Sequence, residues 1–342
     1  MRRFALPLFA IALIGAGCST ADKPEGTGPV ASLAGLTEVP GMSRYALAEP
    51  IQVNNVSIVP VISREGEKQV GEEYATLAEA KKNAWIEIIE VPGEGDVDTL
   101  KVRNVGPKPI LLLSGELLLG GKQDRVVGKD TIVPPGKEVD VPVYCVEPGR
   151  WTGSDKFSYG DTMVPLTVKE EATFGNQQQV WDKVGGYNAA AGASRDDGTT
   201  LQNGLDEEKV KKQIETDLGD VLSKLDKNKN VVGVMFLMDG EVRTLELFGT
   251  NRLFNANRNS LLKGALAQAA VSNGSPALNI DMDACAKFMS EAMQSNRVVE
   301  ARTSASVAAR RASENSKGVE VHAPAKYGGR GSVLLHGSYK KQ

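Results

Sequence analysis

Glu116, Lys122, Gln123 and Arg125 fall within one short stretch, GELLLGGKQDR (115–125), and Glu147, Arg150 and Trp151 follow in CVEPGRW (145–151). These residue types can recognise an anion. Arginine offers a planar fork of donors to a carboxylate or phosphate, lysine a mobile point charge, and glutamine an orienting amide. Trp151 would add a ring face, and Gly120-Gly121 would let backbone approach a ligand closely. The same residues also have a structural reading. Glu116 with Arg125, or Glu147 with Arg150, would be ion pairs pinning strands, the glycines a bulge, and Trp151 a core anchor. Glu116 and Glu147 are in addition the paired carboxylates nearest one another, and a glycosidase-type reaction needs such a pair ~5–10 Å apart.

Other chemistries lack their residues. There is no G-x-S-x-G elbow, no phosphate-binding P-loop and no H-E-x-x-H or C-x-x-C spacing, so neither a metal site nor a cofactor is expected. His322 and His336 read as strand residues near the surface. Cys145 lies in the alternating run VPVYCV and reads as a buried thiol, although Cys145 and Cys285 are free to pair in an oxidising compartment. Val180, Trp181 and Val184 read as core.

The chain has 342 residues and a net charge of −3, without a dense basic stripe, which argues against nucleic acid as a partner. Its N-terminus has a different purpose. Arg2 and Arg3 precede the apolar run FALPLFAIALIG, and small residues lead to Cys18, the pattern of a lipoprotein signal peptide over 1–17. Cys18 would then carry lipid, palmitate included, and hold the protein on the membrane through more than one acyl chain. Gly15 stands where such signals usually carry leucine. Ser19, in place of an aspartate after the cysteine, points to the outer membrane of a cell envelope. Residues 18–49, rich in Gly, Pro and Ala, read as a flexible tether to a single domain over 50–342.

The elements that must position the charged residues are strands. IQVNNVSIVPVI, WIEIIEV, DTLKVRNV, PILLLSGELLLG, RVVGKDTIV and EVDVPVYCV are short β-branched runs separated by Pro/Gly punctuation. Pro135-Gly136 suits a type II turn and makes TIVPPGKEVDVPV a hairpin. A helix over 76–85 begins with Thr76 and Glu79 in capping-box spacing. Beyond Trp151 the periods become helical. GNQQQVWDKVGGYNAA is a helix up to its glycines, and 191–204 is a polar loop. In 206–227, Val210, Ile214, Leu218, Val221, Leu222 and Leu225 share one face. NVVGVMFLMDGEVRTLELFG (230–249) is a hairpin, because Asp239-Gly240 supports a primed turn. Two more helices and two closing strands, VEVHAP and GSVLLHGSYK, complete an α+β fold. An antiparallel β-sandwich-like sheet occupies the N-terminal half, with helices and a hairpin in the C-terminal half.

The block at 104–151 carries Gly115-Glu116, Gly121-Lys122-Gln123-Asp124-Arg125, Pro135-Gly136 and Cys145-Val146-Glu147-Pro148-Gly149-Arg150-Trp151 in order. It resembles the ADP-ribosylglycohydrolase- and rhodanese-phosphatase-superfamily-associated protein domain, a family largely of unknown function. The Gln-Val-Trp of 179–181 and the hairpin GVMFLMDGEVRTLELF look like later elements of that family, so the likeness covers about 51–292. It implies proximity to ADP-ribose-type or phosphate-linked substrates.

Three functions are therefore expected. The first is an envelope lipoprotein binding a small anion or peptide through Glu116, Lys122, Gln123, Arg125, Glu147, Arg150 and Trp151. The second is a hydrolase of a glycosidic or phosphate-linked substrate using Glu116 and Glu147. The third is an interaction lipoprotein that contacts another envelope protein.

Overall fold

A computed structural model describes residues 35–65, 73–93, 95–193, 199–277, 279–324 and 332–342. The expected signal peptide, Cys18 and the start of the tether lie outside the described residues. In chain order come β1 (Thr37–Glu38), β2 (Tyr45–Leu47), β3 (Ile51–Val53), β4 (Val56–Ser63), β5 (Ala75–Thr76) and α1 (Leu77–Lys82). Then follow β6 (Ile86–Glu90), β7 (Thr99–Asn104), β8 (Ile110–Leu112), β9 (Glu116–Gly120), β10 (Arg125–Val127), β11 (Thr131–Val133), β12 (Glu138–Cys145) and β13 (Phe157–Met163). Helices α2 (Leu166–Phe174), α3 (Gln177–Ala191), α4 (Leu201–Asp206) and α5 (Glu208–Leu225) lead to β14 (Val231–Met238) and β15 (Glu241–Phe248). The remaining elements are α6 (Asn251–Ala270), α7 (Met282–Gln294), β16 (Asn296–Arg302), β17 (Val307–Ala312), β18 (Ser316–Pro324) and β19 (Ser332–Lys341).

The fold is α+β. Its larger sheet has ten antiparallel strands in the order β1-β2-β4-β14-β15-β19-β18-β17-β16, with β3 beside β4. β14 explains why this sheet is covered on both faces. Val234 and Phe236 join the core built with α5 and α6, whereas Met235 and Leu237 join the core built with α7. Successive strand residues point to opposite faces, so a strand buried on both reads as the unbroken run VVGVMFLM. The expected primed turn closes the β14–β15 hairpin, with Asp239 at φ 53° and Gly240 at φ 83°. The closing strands β18 and β19 return to this sheet, β19 pairing with β15.

A six-stranded sheet, β13-β9-β10-β12-β7-β6, and a three-stranded sheet, β11-β8-β5, enclose a second core. Leu100, Val102, Val141 and Val143 of the first meet Ile110, Leu112 and Val133 of the second. This packing corrects the expected 131–143 hairpin. The turn forms, with the Lys137 amide donating to Pro134 O at 3.1 Å and Gly136 at φ 68°. Its two arms nevertheless part: β11 pairs with β8, and β12 with β10 and β7.

Other expectations shift. Tyr45–Leu47, expected within the tether, is a fully buried strand paired with β4. α1 is capped as expected, Thr76 accepting from the Glu79 amide at 3.1 Å. α3 runs through Gly185 and Gly186, which face open space, and ends at Gly192 in the left-handed region, φ 78°. A mid-helix glycine costs about 1 kcal/mol, which packing of Val180, Val184 and Tyr187 outweighs. Part of the expected 191–204 loop belongs to α4, started by Thr200. Helix α2 and strands β16 and β17 had no clear sequence signal; α2 begins after Pro165 without a side-chain cap.

Candidate functional site

β9 and β10 form a hairpin, Leu118 opposite Arg125, and the turn between them carries Gly121-Lys122-Gln123-Asp124. Gly120 and Gly121 both have positive φ, 109° and 55°. At Gly121 only glycine fits, since a Cβ there would lie 2.0 Å from Phe157 Cζ. The turn therefore folds down against β13, and its side chains meet the 145–151 segment that leaves β12.

Six of the seven expected residues converge here. The Gln123 side-chain amide donates to Glu147 O at 2.9 Å, and the Asp124 backbone amide to Glu147 Oε2 at 3.0 Å. Arg150 closes the loop, donating to Glu147 Oε2 at 2.5 Å and to Gly121 O at 3.0 Å. Hydrogen bonding to Glu147 raises the Arg150 pKa above its ordinary value. Asp124 also accepts from the Gly120 amide at 2.8 Å and the Thr200 hydroxyl at 2.6 Å. These contacts make the expected Glu147–Arg150 pair a real strand lock. Trp151 is not a core anchor, being 40% exposed. Its ring instead lies within cation–π reach of Lys122 Nζ at 5.4 Å and Arg125 Cζ at 5.5 Å.

Arg125 stands apart from this closed network. It is 0% exposed and faces Cys145 across the ladder. One of its nitrogens donates to Gln123 Oε1 at 3.2 Å. Nε and Nη2 find no hydrogen-bond partner among the described residues. Burial pushes its pKa below the ordinary arginine value. A buried guanidinium edge without acceptors is costly, so it marks a place where an acceptor would be stabilising.

Glu116, the seventh residue, is elsewhere. It starts β9, two strand positions before Leu118, which lies opposite Arg125. Its carboxyl accepts from the Leu113 amide at 2.9 Å. Burial pushes its pKa up to about 8, with Asp130 adding to the rise. So Glu116 pairs neither with Arg125 nor with Glu147. The expected carboxylate pair of a hydrolase is split between two environments, one closed onto Arg150 and the other beside Asp130 and His336.

That second environment corrects the reading of the histidines. His336 is 1% exposed, and His322 is buried too. His336 Nδ1 lies 2.6 Å from Asp130 and Nε2 3.1 Å from Glu246, while Lys169 Nζ meets Glu246 at 2.6 Å. Burial alone would lower the imidazole pKa, but the two carboxylates overcome it and raise it to about 9. His322 contacts Glu320, which also receives Tyr339, Arg297 and Arg311. A signal for these residues existed: a single charge inside an apolar run, as in TLELF and SVLLHGS. Glu90 was missed similarly, although it alternates in phase with Ile86 and Ile88 in IEIIE. It is buried, accepts from the Lys122 amide at 2.7 Å, and leaves Oε2 without a partner among the described residues.

Cys145 and Cys285 are free and buried, with burial raising both thiol pKa values. The backbone of Cys145 is clamped by Gln177, whose amide donates to Cys145 O and accepts from Cys145 N, both at 2.8 Å. Among the described residues, no group of three or more His, Cys, Asp or Glu is arranged to hold a metal ion.

A family model described as the ARG and Rhodanese-Phosphatase-superfamily-associated Protein domain matches residues 44–339. The match extends beyond 51–292 at both ends and takes in β2 and most of the closing strands. No curated protein and no solved structure matches the chain.

Proposed function

The chain belongs to the ARG and Rhodanese-Phosphatase-superfamily-associated protein domain family, and from that premise we propose that it is a binding protein for a small anionic ligand. The ligand is held at the β9–β10 turn, where Arg125 supplies the bidentate fork and Lys122 a second positive charge. Gln123 fixes the orientation of the Arg125 side chain, and Trp151 roofs the site. The closed unit of Asp124, Glu147 and Arg150 sets the shape of the turn. Glu116 takes no part in this contact.

One observation carries the reading. Arg125 is fully buried, yet its Nε and Nη2 lack acceptors among the described residues. An internal ion pair would have used them. A carboxylate or phosphate oxygen pair matches that edge of the guanidinium.

The test is calorimetry and thermal shift with small carboxylates, phosphorylated sugars, nucleotides and ADP-ribose. A bound ligand at 100 times its Kd stabilises by about 2.7 kcal/mol, a readily visible rise in Tm. Arg125→Gln is expected to abolish that rise. The reading fails if no anion raises Tm, or if Arg125→Gln binds as well as the parent.

We further propose that the protein works in the cell envelope, anchored through lipid on Cys18 to the outer membrane. The N-terminal sequence supports this. Labelled palmitate should enter the parent protein and be absent from Cys18→Ala; equal labelling of both would refute it.

A further inference from the structure

Arg125 is not the only buried group at this turn with unused hydrogen-bonding capacity. Glu90, at the end of β6, spends Oε1 on the Lys122 amide at 2.7 Å. Its Oε2 is buried and has no partner among the described residues. Glu90 and Arg125 act on one another electrostatically, as Glu90 raises the Arg125 pKa against the larger lowering by burial. The two unused edges are chemically opposite, one a pair of donors and the other an acceptor. Each is more than nine-tenths buried.

The charges around them limit the ligand further. Lys122, Arg125 and Arg150 are balanced by Glu90, Asp124 and Glu147, and the loop bearing Asp96 acts on Arg125 as well. Gly95 of that loop is close enough that a Cβ would sit 3.1 Å from Lys122 Nζ and 3.4 Å from the Trp151 ring. A polyphosphate would bring several negative charges among these carboxylates. A single anionic group suits Arg125, provided the rest of the molecule can also serve Glu90.

Resting on the anion-binding reading above, we infer that the ligand carries a single carboxylate and a hydrogen-bond donor, as a hydroxy-carboxylate or a zwitterionic amino-carboxylate does. Its carboxylate meets Nε and Nη2 of Arg125, and its hydroxyl or ammonium donates to Oε2 of Glu90. A buried acceptor left unpaired is penalised, so an analogue without the donor is rejected.

Matched probes test this on the unmodified protein. Glycine, glycolate and glycerate are titrated beside acetate and propionate, and Glu90→Gln is then titrated with the same set. The donor-bearing acids are expected to bind about tenfold or more tighter than acetate. Glu90→Gln should erase that preference while retaining acetate binding. If acetate and glycolate bind the parent equally and Arg125→Gln abolishes both, the inference is overturned and the anion site stands. If preference survives in Glu90→Gln, the inference is also overturned. If none of the acids binds and Arg125→Gln changes nothing, the anion site itself is wrong.

Discussion

His336 and Asp130 lie 206 positions apart in the chain, yet their side chains meet at 2.6 Å, the imidazole Nδ1 against the carboxylate. The contact joins β19 of the large sheet to the loop before β11. Glu246, on β15, holds the other imidazole nitrogen at 3.1 Å and also receives Lys169 from α2. Two cations and two carboxylates thus tie the large sheet to α2 and to the β10–β11 connection. Such a unit is no strong source of stability as a whole, but losing one member leaves a charge buried and unpaired.

The first prediction concerns pH. The folded pKa of His336 is raised to about 9, above its ordinary 6.5. Between those values the folded state keeps a proton that the unfolded state has released, so stability falls as pH rises through this window. Glu116, raised from 4.5 to about 8, has the same sign and a lower window. Glu246 is the opposite case. Burial would raise it, but Lys169 and His336 bring it down from 4.5 to about 2, so its contribution is lost as pH falls below the ordinary carboxylate range. Urea unfolding should show maximal stability in mildly acidic solution and a decline toward pH 9.

Lys169→Met should be among the most destabilising substitutions, costing about 3–5 kcal/mol by leaving Glu246 buried beside too little positive charge. The double variant Lys169→Met with Glu246→Gln should recover part of the loss. A cycle by chemical denaturation measures the coupling; additive effects would show that the two residues do not act together.

Glu116→Gln should behave differently. Because the carboxyl of Glu116 is neutral below about pH 8, the amide is a near-isostere at pH 6, and stability should change by less than about 1 kcal/mol. At pH 9 the variant should be the more stable protein, since it cannot ionise. Denaturation at both pH values separates this from a carboxylate that must be charged.

Arg125 and Arg150 should divide between function and structure. Arg125→Gln removes a buried cation whose Nε and Nη2 lack acceptors among the described residues, so it should lose ligand while leaving Tm unchanged or raised. Arg150→Ala breaks contacts to Glu147, Gly121 O and Thr152 O, and should lower stability by about 1 kcal/mol. Thermal melts with and without ligand read both effects.

Gln177→Ala should cost about 1–3 kcal/mol, because the Cys145 N–H and C=O that it clamps would lose their partners where β12 ends. Faster hydrogen exchange at the Cys145 amide, with β7 unchanged, would be the local signature.

Local order was legible in the residues because it depends on neighbours a few positions away. The Thr76 cap, the α5 stripe, the Asp239-Gly240 turn and the strand character of 99–145 all have that origin. So did the buried state of Cys145, from its place in an alternating strand. Tertiary structure decided which strands pair, and this overturned the 131–143 hairpin although its turn chemistry was read correctly. It also decided that His336 is interior, since only the fold brings Phe248, Asp130 and Glu246 around its ring. The seven residues first grouped as one site were divided in the same way. Sequence placed Glu116 near Arg125 by number, and the β9–β10 register keeps it only two strand positions from Leu118, the partner of Arg125; its carboxyl nevertheless takes the Leu113 amide and feels Asp130 and His336. What remained together, Lys122 to Arg125 with Glu147 to Trp151, was united by the ladder between β10 and β12, a long-range contact that no local period encodes.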